Sequence, residues 1–310
     1  MSKLLVVFGA TGQQEGSVIT TVLNDAELSN QYKLRAITRD PTTPSAQSLA
    51  QKGVEVVKAD VDDASSLKAA MSGAHTVFGI TVTIYDQHLK EREVRQGKGL
   101  VDAAVAAGVE YLIFSTLPHT GKISNNKYPG FVSFESKAEV EEYIRGLKIK
   151  SAFFAPGSFM QNFASNMAPN PAGDGTYAMA NFVSPQTKLP CIDTVDDTGK
   201  YIGAILANPD EFEGKVLSAS TDTWTFEEIA QVMSKASGRV VKYNQLPLEV
   251  WKGFLRPGSE GNLVGMFQWI EEFGYYGPET ESKVKWTAGK ARGKLTTLEE
   301  YFEKFPLCLQ

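Results

Sequence analysis

The hydrophobic positions of the chain alternate between short apolar runs and segments with helical spacing. Lys3 to Phe8 is a nearly unbroken apolar run, which is typical of a parallel strand buried on both faces. After it, Val18, Ile19 and Val22 recur at helical spacing. The pattern therefore predicts a first strand that leads directly into a helix.

Similar patterns continue along the chain. Further strands are predicted at 33–38, 54–59, 75–80, 110–115 and 151–155, and helices at 64–71, 87–107 and 133–147. This alternation predicts an α/β fold with a doubly wound parallel sheet of the Rossmann type.

Beyond residue 155 the periodic pattern loosens. The predicted elements there are strands at 176–180 and 215–220 and helices at 196–208 and 225–236. We expect a Rossmann domain at 1–155 and a smaller α+β lobe at 156–310, with some segments of the lobe returning to the sheet. Seven aromatic residues are expected to form the core of this lobe: Trp251, Phe254, Phe267, Trp269, Phe273, Tyr275 and Tyr276.

Three glycines follow the first strand in the pattern G-x-x-G-x-x-x-G, at Gly9, Gly12 and Gly16. Gly9 permits a sharp turn from strand to helix, and Gly12 has no side chain to block a diphosphate. The free amides and positive dipole end of the coming helix favour the same anion. The spacing differs from the standard G-x-G-x-x-G and is similar to that of the short-chain dehydrogenase superfamily. It predicts a nucleotide-phosphate site, with an ordinary tight turn as the alternative.

Two further residues lie near this predicted site. Glu15 departs from the usual pattern, because a carboxylate beside a diphosphate repels it, and we expect its side chain to point into solvent. Thr81 follows the fourth strand. Loops after the carboxyl ends of parallel strands line the ligand crevice, so Thr81 is expected near the cofactor.

Charged residues after the second and third strands determine which dinucleotide fits. At the second strand end, an acid favours the ribose diol of NAD, whereas an arginine favours the 2'-phosphate of NADP. Arg39 and Asp40 cannot both face the ribose, because neighbours in a strand point to opposite sides. We predict Arg39 and NADP(H), since one charge-assisted hydrogen bond gives about a ten- to hundredfold preference. Asp60 is a candidate partner of the adenine amino group, whereas Asp62 and Asp63 are interpreted as helix caps.

Composition limits the classes of function. A formal charge of -5 and a pI near 5.4 argue against binding to a nucleic-acid backbone, which needs clustered Lys and Arg. Cys191 and Cys308 are the only cysteines, so we expect no disulfide framework and a reducing compartment. No apolar run reaches 18 residues. A cytoplasmic protein without membrane segments is expected, with nuclear entry and oligomeric state left open.

No metal site is predicted. Asp193, Asp196 and Asp197 are better explained as helix-capping residues, because no His or Cys accompanies them. The three histidines are scattered along the chain: His75, His88 and His119. The polar segment 118–130 is either a lid or partner-binding loop or a disordered connection.

Lys137 is the most informative single residue. It shares a helix face with Ser133, Val140 and Ile144, whereas Glu135 is expected on the other face. Burying an ammonium without a partner is costly, so the pattern suggests an anionic or hydroxyl-rich partner such as a cofactor ribose. The alternative is a capping box at 136–139 that starts the helix later and leaves Lys137 at a frayed end.

Five segments resemble a known family: VVFGATGQQEGS, ITRDP, EREVRQGKGLVDAA, ESKAEVEEYI and APGSFMQNF. In this order and spacing they resemble the NmrA-like family of atypical short-chain dehydrogenases, which includes fungal nitrogen-metabolite repression regulators and NADPH-sensing proteins. The resemblance implies a Rossmann core that binds NADP(H), with a smaller substrate-like lobe. It also implies cofactor contacts at Gly9, Ala10, Thr11, Gly12, Gln13, Gln14, Arg39, Asp60, Val61, Thr81, Lys137, Phe159, Met160, Gln161 and Asn162. A basic residue that some relatives have after the arginine position is missing, since Thr42 and Thr43 follow Pro41, so NADP preference rests largely on Arg39.

The sequence leaves catalytic turnover open. Catalytic short-chain dehydrogenases place a Tyr one helical turn before the Lys to donate a proton, but here that position is Ser133, a poor general acid. Tyr143 points elsewhere on the helix, and Tyr128 reaches in only by loop closure. The leading hypothesis is an NADP(H)-binding, redox-sensing regulator with weak or no dehydrogenase activity that engages a partner protein. The alternative is an NADPH-dependent reductase of a small carbonyl or enone, with Lys137 as its catalytic residue.

Overall fold

The computed structural model describes residues 2–309. Its strands are β1 Lys3–Phe8, β2 Tyr32–Thr38, β3 Glu55–Lys58, β4 Thr76–Gly79, β5 Tyr111–Ser115, β6 Lys150–Pro156, β7 Ser158–Phe159, β8 Asn170–Pro171, β9 Tyr177–Asn181, β10 Lys188–Ile192, β11 Val216–Ala219, β12 Asp222–Thr225 and β13 Val241–Gln245. Its helices are α1 Gln13–Asn24, α2 Ala26–Gln31, α3 Pro44–Gln51, α4 Ala64–Ala70, α5 Leu89–Ala106, α6 Thr120–Ser124, α7 Ser133–Arg145, α8 Thr198–Ala207, α9 Pro209–Phe212, α10 Phe226–Ser237, α11 Leu248–Lys252, α12 Glu260–Phe273, α13 Thr280–Ala288 and α14 Leu298–Lys304. A 3₁₀ helix covers Met160–Ala164. The predicted elements are present, with ends shifted by one or two residues.

Seven strands form the central sheet, in the order β11-β6-β5-β4-β1-β2-β3. Every neighbouring pair in this sheet is parallel. The chain moves outward in one direction from β1 to β3 and in the other from β4 onward. Ligands of such sheets bind at this switch point, outside the carboxyl ends of the strands. The predicted α/β, doubly wound class is confirmed.

Strand β1 is buried on both faces, as its apolar run predicts. Leu5 and Val7 belong to a core that includes residues of α1 and α8. Val6 and Phe8 belong to the opposite core, with residues of α5 and α7. Since alternate side chains of a strand point to opposite faces, one apolar strand contributes to both layers.

The second half of the chain returns to the central sheet. Strand β11 pairs with β6, and α8 packs so closely on α1 that a Cβ at Gly199 would overlap the Thr21 hydroxyl. Two three-stranded sheets, β12-β10-β7 and β13-β9-β8, build the smaller lobe. The domain boundary at residue 155 stays a prediction.

An aromatic core fills the smaller lobe. Its buried members include Trp251, Phe267, Trp269, Tyr275 and Tyr276, with Phe273 packed against them. The prediction for Phe254 is wrong, because 72% of its surface is exposed.

The segment 118–130 is ordered and contains α6. The Thr120 hydroxyl and the Gly121 amide donate hydrogen bonds to the Glu135 carboxylate on α7. Glu135 is therefore buried by this segment. Farther along, the Lys127 ammonium lies 2.6 Å from the Glu272 carboxylate on α12. These contacts exclude the disordered alternative.

Three general features of residues 2–309 limit the chemistry. Both cysteines are free thiols, Cys191 buried and Cys308 exposed. No group of three or more His, Cys, Asp and Glu side chains within these residues is placed to hold a metal ion. None of the helices described combines the length and apolar composition that crossing a bilayer requires.

Close contact between α5 and α7 depends on Gly97. A Cβ at this position would lie 2.5 Å from Cγ2 and 2.9 Å from Cγ1 of Val140, a stiff β-branched side chain. We expect Gly97→Ala to lower the free energy of unfolding by about 1–3 kcal/mol through overpacking, measured by urea titration.

Gly99→Ala is the matched control on the same helix, since a Cβ there meets no atom within 4 Å. It should raise stability by about 0.5–1 kcal/mol through helix propensity. Equal effects of the two substitutions would contradict the assigned role of Gly97.

Candidate nucleotide-binding site

The glycine turn after β1 has the geometry of a phosphate cradle. Gly9 adopts a φ of +71°, which side chains rarely tolerate. A Cβ at Gly12 would lie 3.1 Å from the Gly9 carbonyl oxygen and would overlap the Glu15 carboxylate. Gly12 is also the N-cap of α1, and no side chain of the described residues caps this helix end. The amides of the first turn point toward the place of an anion, where the Glu15 carboxyl group, which interacts with its own backbone N–H, also lies. The residues of the turn fit a diphosphate.

Neighbouring residues of the turn are anchored to other elements. The Ala10 amide donates to the Ile37 carbonyl on β2 at 3.0 Å. The Gln14 side chain accepts a hydrogen bond from Ser115 at the end of β5, at 3.3 Å. The Gln13 side chain accepts one from Thr194 at 3.0 Å. The turn is therefore fixed from both halves of the chain, while Thr11 is exposed at its apex.

Glu15 does not point into solvent as expected. Its side chain folds back over the glycine turn, and only 6% of the residue is exposed. Desolvation raises the pKa of its carboxyl group to about 7, against smaller opposing effects of its own backbone N–H and of Lys137.

Arg39 lies exposed just beyond β2 and forms no ion pair within residues 2–309. Asp40, in contrast, is committed to the loop, because its Oδ1 accepts hydrogen bonds from the Thr42 amide at 2.9 Å and the Thr42 hydroxyl at 2.6 Å. These bonds hold the pKa of Asp40 below its usual value. Of these two residues, Arg39 is therefore the one available for a 2'-phosphate.

Lys58 is a second cation at this corner that sequence inspection missed. It ends β3 and is the register partner of Thr38, next to Arg39. Its charge also helps to lower the pKa of Asp40. The pairing of β2 with β3 places Lys58 at this corner, and no sequence motif at the end of β3 indicates this position.

The acidic stretch after β3 is mostly engaged within the protein. Asp63 caps α4 through the amides of residues 65 and 66, as predicted. Asp62 instead pairs with Arg95 at 2.7 Å and Gln96 at 2.8 Å, so its interpretation as a cap is wrong. Asp60 is exposed, and its Oδ1 accepts the Asp62 amide. Val61 is half-buried beside it.

Lys137 is buried and paired. Its ammonium donates to the Thr81 carbonyl oxygen and hydroxyl, both at 3.0 Å, and to the Glu93 carboxylate at 2.9 Å. All three N–H groups of the ammonium are thereby used. The helix starts at Ser133, and Ser136 donates to Glu93 rather than capping a helix end. The frayed-end alternative is therefore wrong.

Glu93 is the buried counterion, with none of its side chain exposed. Burial pushes its pKa upward, but the charge of Lys137 and hydrogen bonds from Ser136, Lys137 and Thr83 outweigh this effect. Its pKa therefore lies below the usual value, and the carboxylate stays ionised at neutral pH. Sequence reasoning did not find it because it lies 44 residues from Lys137.

Ser133 lies at the position of the catalytic tyrosine, and its hydroxyl accepts a hydrogen bond from another element. Asn262 of α12 donates to the Ser133 hydroxyl at 3.0 Å and accepts the backbone amides of Val132 and Ser133 at 3.0 and 2.9 Å. Asn262 thus caps α7 from the smaller lobe. The other two phenols considered lie elsewhere: Tyr143 donates to Asp102 and Tyr128 to Glu272.

One phenol near Lys137 was overlooked. Tyr85 lies on the loop after β4, whose residues Thr81 and Thr83 bond to the Lys137–Glu93 pair. Desolvation of the phenol and the Glu93 charge raise the pKa of Tyr85, although 48% of the residue surface is exposed. Val82 and Ile84 on the same loop are 65% and 52% exposed, so apolar surface flanks this side of the crevice.

The segment after β6 occupies the boundary with the smaller lobe. Met160 is fully buried and Phe159 is half-buried against the core. Gln161 donates to Asp193 at 2.7 Å and accepts the Thr194 hydroxyl at 2.8 Å. Asn162 is half-buried next to it.

One groove lies outside this site. It is a groove of about 430 Å³ between the 127–130 loop and α12, lined by Tyr128, Gly261 and Val264 among others. The glycine turn itself does not line it.

The sheet topology, the glycine turn and its uncapped helix define the class of the molecule as an NAD(P)-binding, Rossmann-type fold. More particularly, the chain belongs to the NmrA-like family, whose family model matches residues 1–302. This confirms the resemblance found in the sequence.

Two relatives illustrate this membership. An NmrA-like family domain-containing protein of Dictyostelium discoideum is 29% identical over 316 residues, with 98% of each chain covered. The NmrA-like family domain-containing oxidoreductase FrzB of Cladobotryum sp. is 29% identical over 320 residues, which cover 95% of this chain and 94% of FrzB.

Two solved structures share the fold. NmrA, a negative transcriptional regulator crystallised in complex with NADP, superposes with a TM-score of 0.80 at 23% identity, covering 98% of this chain and 95% of NmrA. The Citrobacter sp. triphenylmethane reductase complexed with NADP(H) gives a TM-score of 0.77 at 22% identity, covering 98% of this chain and 99% of the reductase.

The buried ion pair can be tested by removing its cation. Lys137→Met leaves Glu93 buried without a counterion, so we expect the free energy of unfolding in urea to fall by about 3–5 kcal/mol. The double variant Glu93→Gln/Lys137→Met should regain much of this loss, because neither charge then remains.

Lys90→Met is the matched control, since Lys90 and Glu139 form an exposed pair between the same two helices. Its effect should stay below about 1 kcal/mol. A loss for Lys137→Met no larger than that of Lys90→Met would contradict a buried pair.

Proposed function

We propose that this protein is an NADP(H)-binding regulator with weak or no dehydrogenase activity. The diphosphate would lie on the amides of the glycine turn, and the 2'-phosphate beside Arg39 and Lys58. Thr81 and Lys137 would face the nicotinamide end of the crevice. The single observation that carries the proposal is that Lys137 has all three N–H groups committed to Thr81 and Glu93.

Two features of this arrangement disfavour efficient proton transfer. All three N–H groups of Lys137 are directed at Thr81 and Glu93, so none of them is aimed at a substrate. The Ser133 hydroxyl, at the position of the usual phenol, is a poor general acid because it has no aromatic ring to delocalise negative charge. A bound cofactor would supply hydride, but the protein offers no strong acid at this place.

The same residues connect the site to the smaller lobe. Lys137 and Ser133 lie one turn apart on α7, and Asn262 on α12 holds Ser133. A ligand that shifts Lys137 therefore acts on a helix end that the smaller lobe caps. In our proposal a partner protein binds this lobe, or the 118–130 segment that packs on α7 and α12. Its binding then depends on whether the cofactor is bound.

A second candidate function is an NADPH-dependent reductase of a small carbonyl or enone. The exposed apolar residues Val82 and Ile84 beside the crevice favour it, as does the oxidoreductase name of the relative FrzB. Tyr85 is then a candidate proton donor. Electron-poor acceptors would suit the site best, because hydride transfer to them depends least on a strong acid.

Turnover separates the two candidates. We expect calorimetry to detect NADPH binding, while NADPH consumption with a panel of carbonyls, enones, quinones and triarylmethane cations stays below about 0.01 s⁻¹, roughly a thousandfold under a typical kcat. Faster consumption that Tyr85→Phe or Glu93→Gln/Lys137→Met abolishes, with binding retained, would contradict the regulator proposal and support the reductase.

Cofactor preference tests the 2'-phosphate corner. Arg39→Ala should lower the ratio of NADP to NAD affinity by about ten- to a hundredfold, because a charge-assisted hydrogen bond is lost. Lys58→Met should lower it by less than about fivefold, as expected for an exposed charge. Both ratios come from calorimetric titrations.

Lys33→Met provides the control, because Lys33 lies near the start of β2, whereas Arg39 follows the end of this strand. It should leave the ratio unchanged. An unchanged ratio in Arg39→Ala would show that another group selects the cofactor.

A further inference from the structure

Glu15 occupies the volume that the glycine turn keeps free of other side chains. A Cβ at Gly9 would lie 2.9 Å from Oε1 of Glu15, and a Cβ at Gly12 would lie 3.1 Å from its Cδ and overlap Oε2. The residue is 6% exposed, so its carboxyl group is enclosed rather than loosely draped over the surface. A diphosphate bound over Gly12 requires the same volume.

The surroundings of this carboxyl group are nearly uncharged. Lys137 of α7 is the cation whose charge acts on it, and this ammonium is itself paired with Glu93 of α5. The other elements around the turn contribute neutral groups, such as Ser115 at the end of β5 and Thr81 after β4. Desolvation therefore dominates, and it raises the pKa of Glu15 to about 7.

We propose that Glu15 is a built-in competitor of the cofactor, and that NADP(H) binds only by displacing its carboxyl group from the glycine turn into solvent. This inference rests on the proposed NADP(H) binding and adds a form of regulation to the same site. A carboxyl group has oxygen atoms that accept hydrogen bonds as phosphate oxygens do, and in this position it takes up the volume that a phosphate needs.

Displacement has a defined proton linkage. In the free protein Glu15 holds its proton up to about pH 7, whereas in water a glutamate carboxyl has a pKa of about 4.5. Binding near pH 7 therefore releases about half a proton, and acid opposes binding. Affinity should rise about tenfold between pH 6 and pH 8 from this group alone.

Isothermal titration calorimetry with NADP⁺ tests the proposal. Titrations at pH 6, 7 and 8, each in two buffers of different ionisation enthalpy, give affinity and proton release together. The 2'-phosphate of NADP⁺ titrates in the same range, so the informative quantity is the difference between wild type and Glu15→Gln. Glu303→Gln, which removes an exposed carboxylate in the last helix, is the control.

We expect Glu15→Gln to lack the extra half proton and the tenfold pH step that wild type and Glu303→Gln share. Glu15→Ala, which removes the competing group, should bind at least about tenfold more tightly than wild type at pH 6. If proton release and the pH dependence of affinity are the same in all variants, the inference about Glu15 is overturned, while the proposed NADP(H) binding is unaffected. Proton uptake by wild type would also overturn it, because it means that the carboxyl group stays beside the diphosphate. If no variant binds NADP⁺ or NADPH, the proposed function itself fails.

Discussion

The buried ion pair between Lys137 and Glu93 is the interaction on which the rest of the site depends. Glu93 is fully enclosed between α5 and α7, so without its cation it would carry a large desolvation cost. Gly97 lets the same two helices pack closely, because a Cβ there would overlap Val140. Together with Thr81, the ion pair fixes the lysine at the carboxyl end of β4, at the switch point of the sheet. The contacts that place Lys137 in the crevice are the same contacts that occupy its hydrogen-bond donors.

Helix α7 consequently has two roles. Its first turn is capped by Asn262 of the smaller lobe, and its second turn carries Lys137 into the crevice. In a catalytic short-chain dehydrogenase the position of Ser133 would hold a proton donor. In this protein it is the place where Asn262 of the smaller lobe contacts α7. We infer that a site of this kind is better suited to reporting what it binds than to transforming it. In our proposal Glu15 adds a second control, because its carboxyl group competes with the ligand for the glycine turn.

Much of this structure was predictable because its signals are local. The apolar run of β1 and the glycine spacing each specify their own conformation. The burial of Lys137 followed from helical periodicity. Its partner did not, since 44 residues separate it from Glu93, and 129 separate Ser133 from Asn262. Periodicity also cannot show which way a residue in a first helical turn folds, and for this reason the prediction for Glu15 was wrong. Burial in the smaller lobe depends on packing between distant segments, as exposed Phe254 demonstrates.

The central claim is that ligand binding at the nucleotide site changes the stability of the hydrogen bonds between Asn262 and the start of α7. Residue-resolved hydrogen–deuterium exchange of the Val132 and Ser133 amides, with and without saturating NADPH, tests this most directly. Both amides donate to Asn262. The account predicts that NADPH changes their exchange rates together with those of the glycine turn at 11–14. Protection confined to the glycine turn, with both α7 amides unchanged, would contradict it.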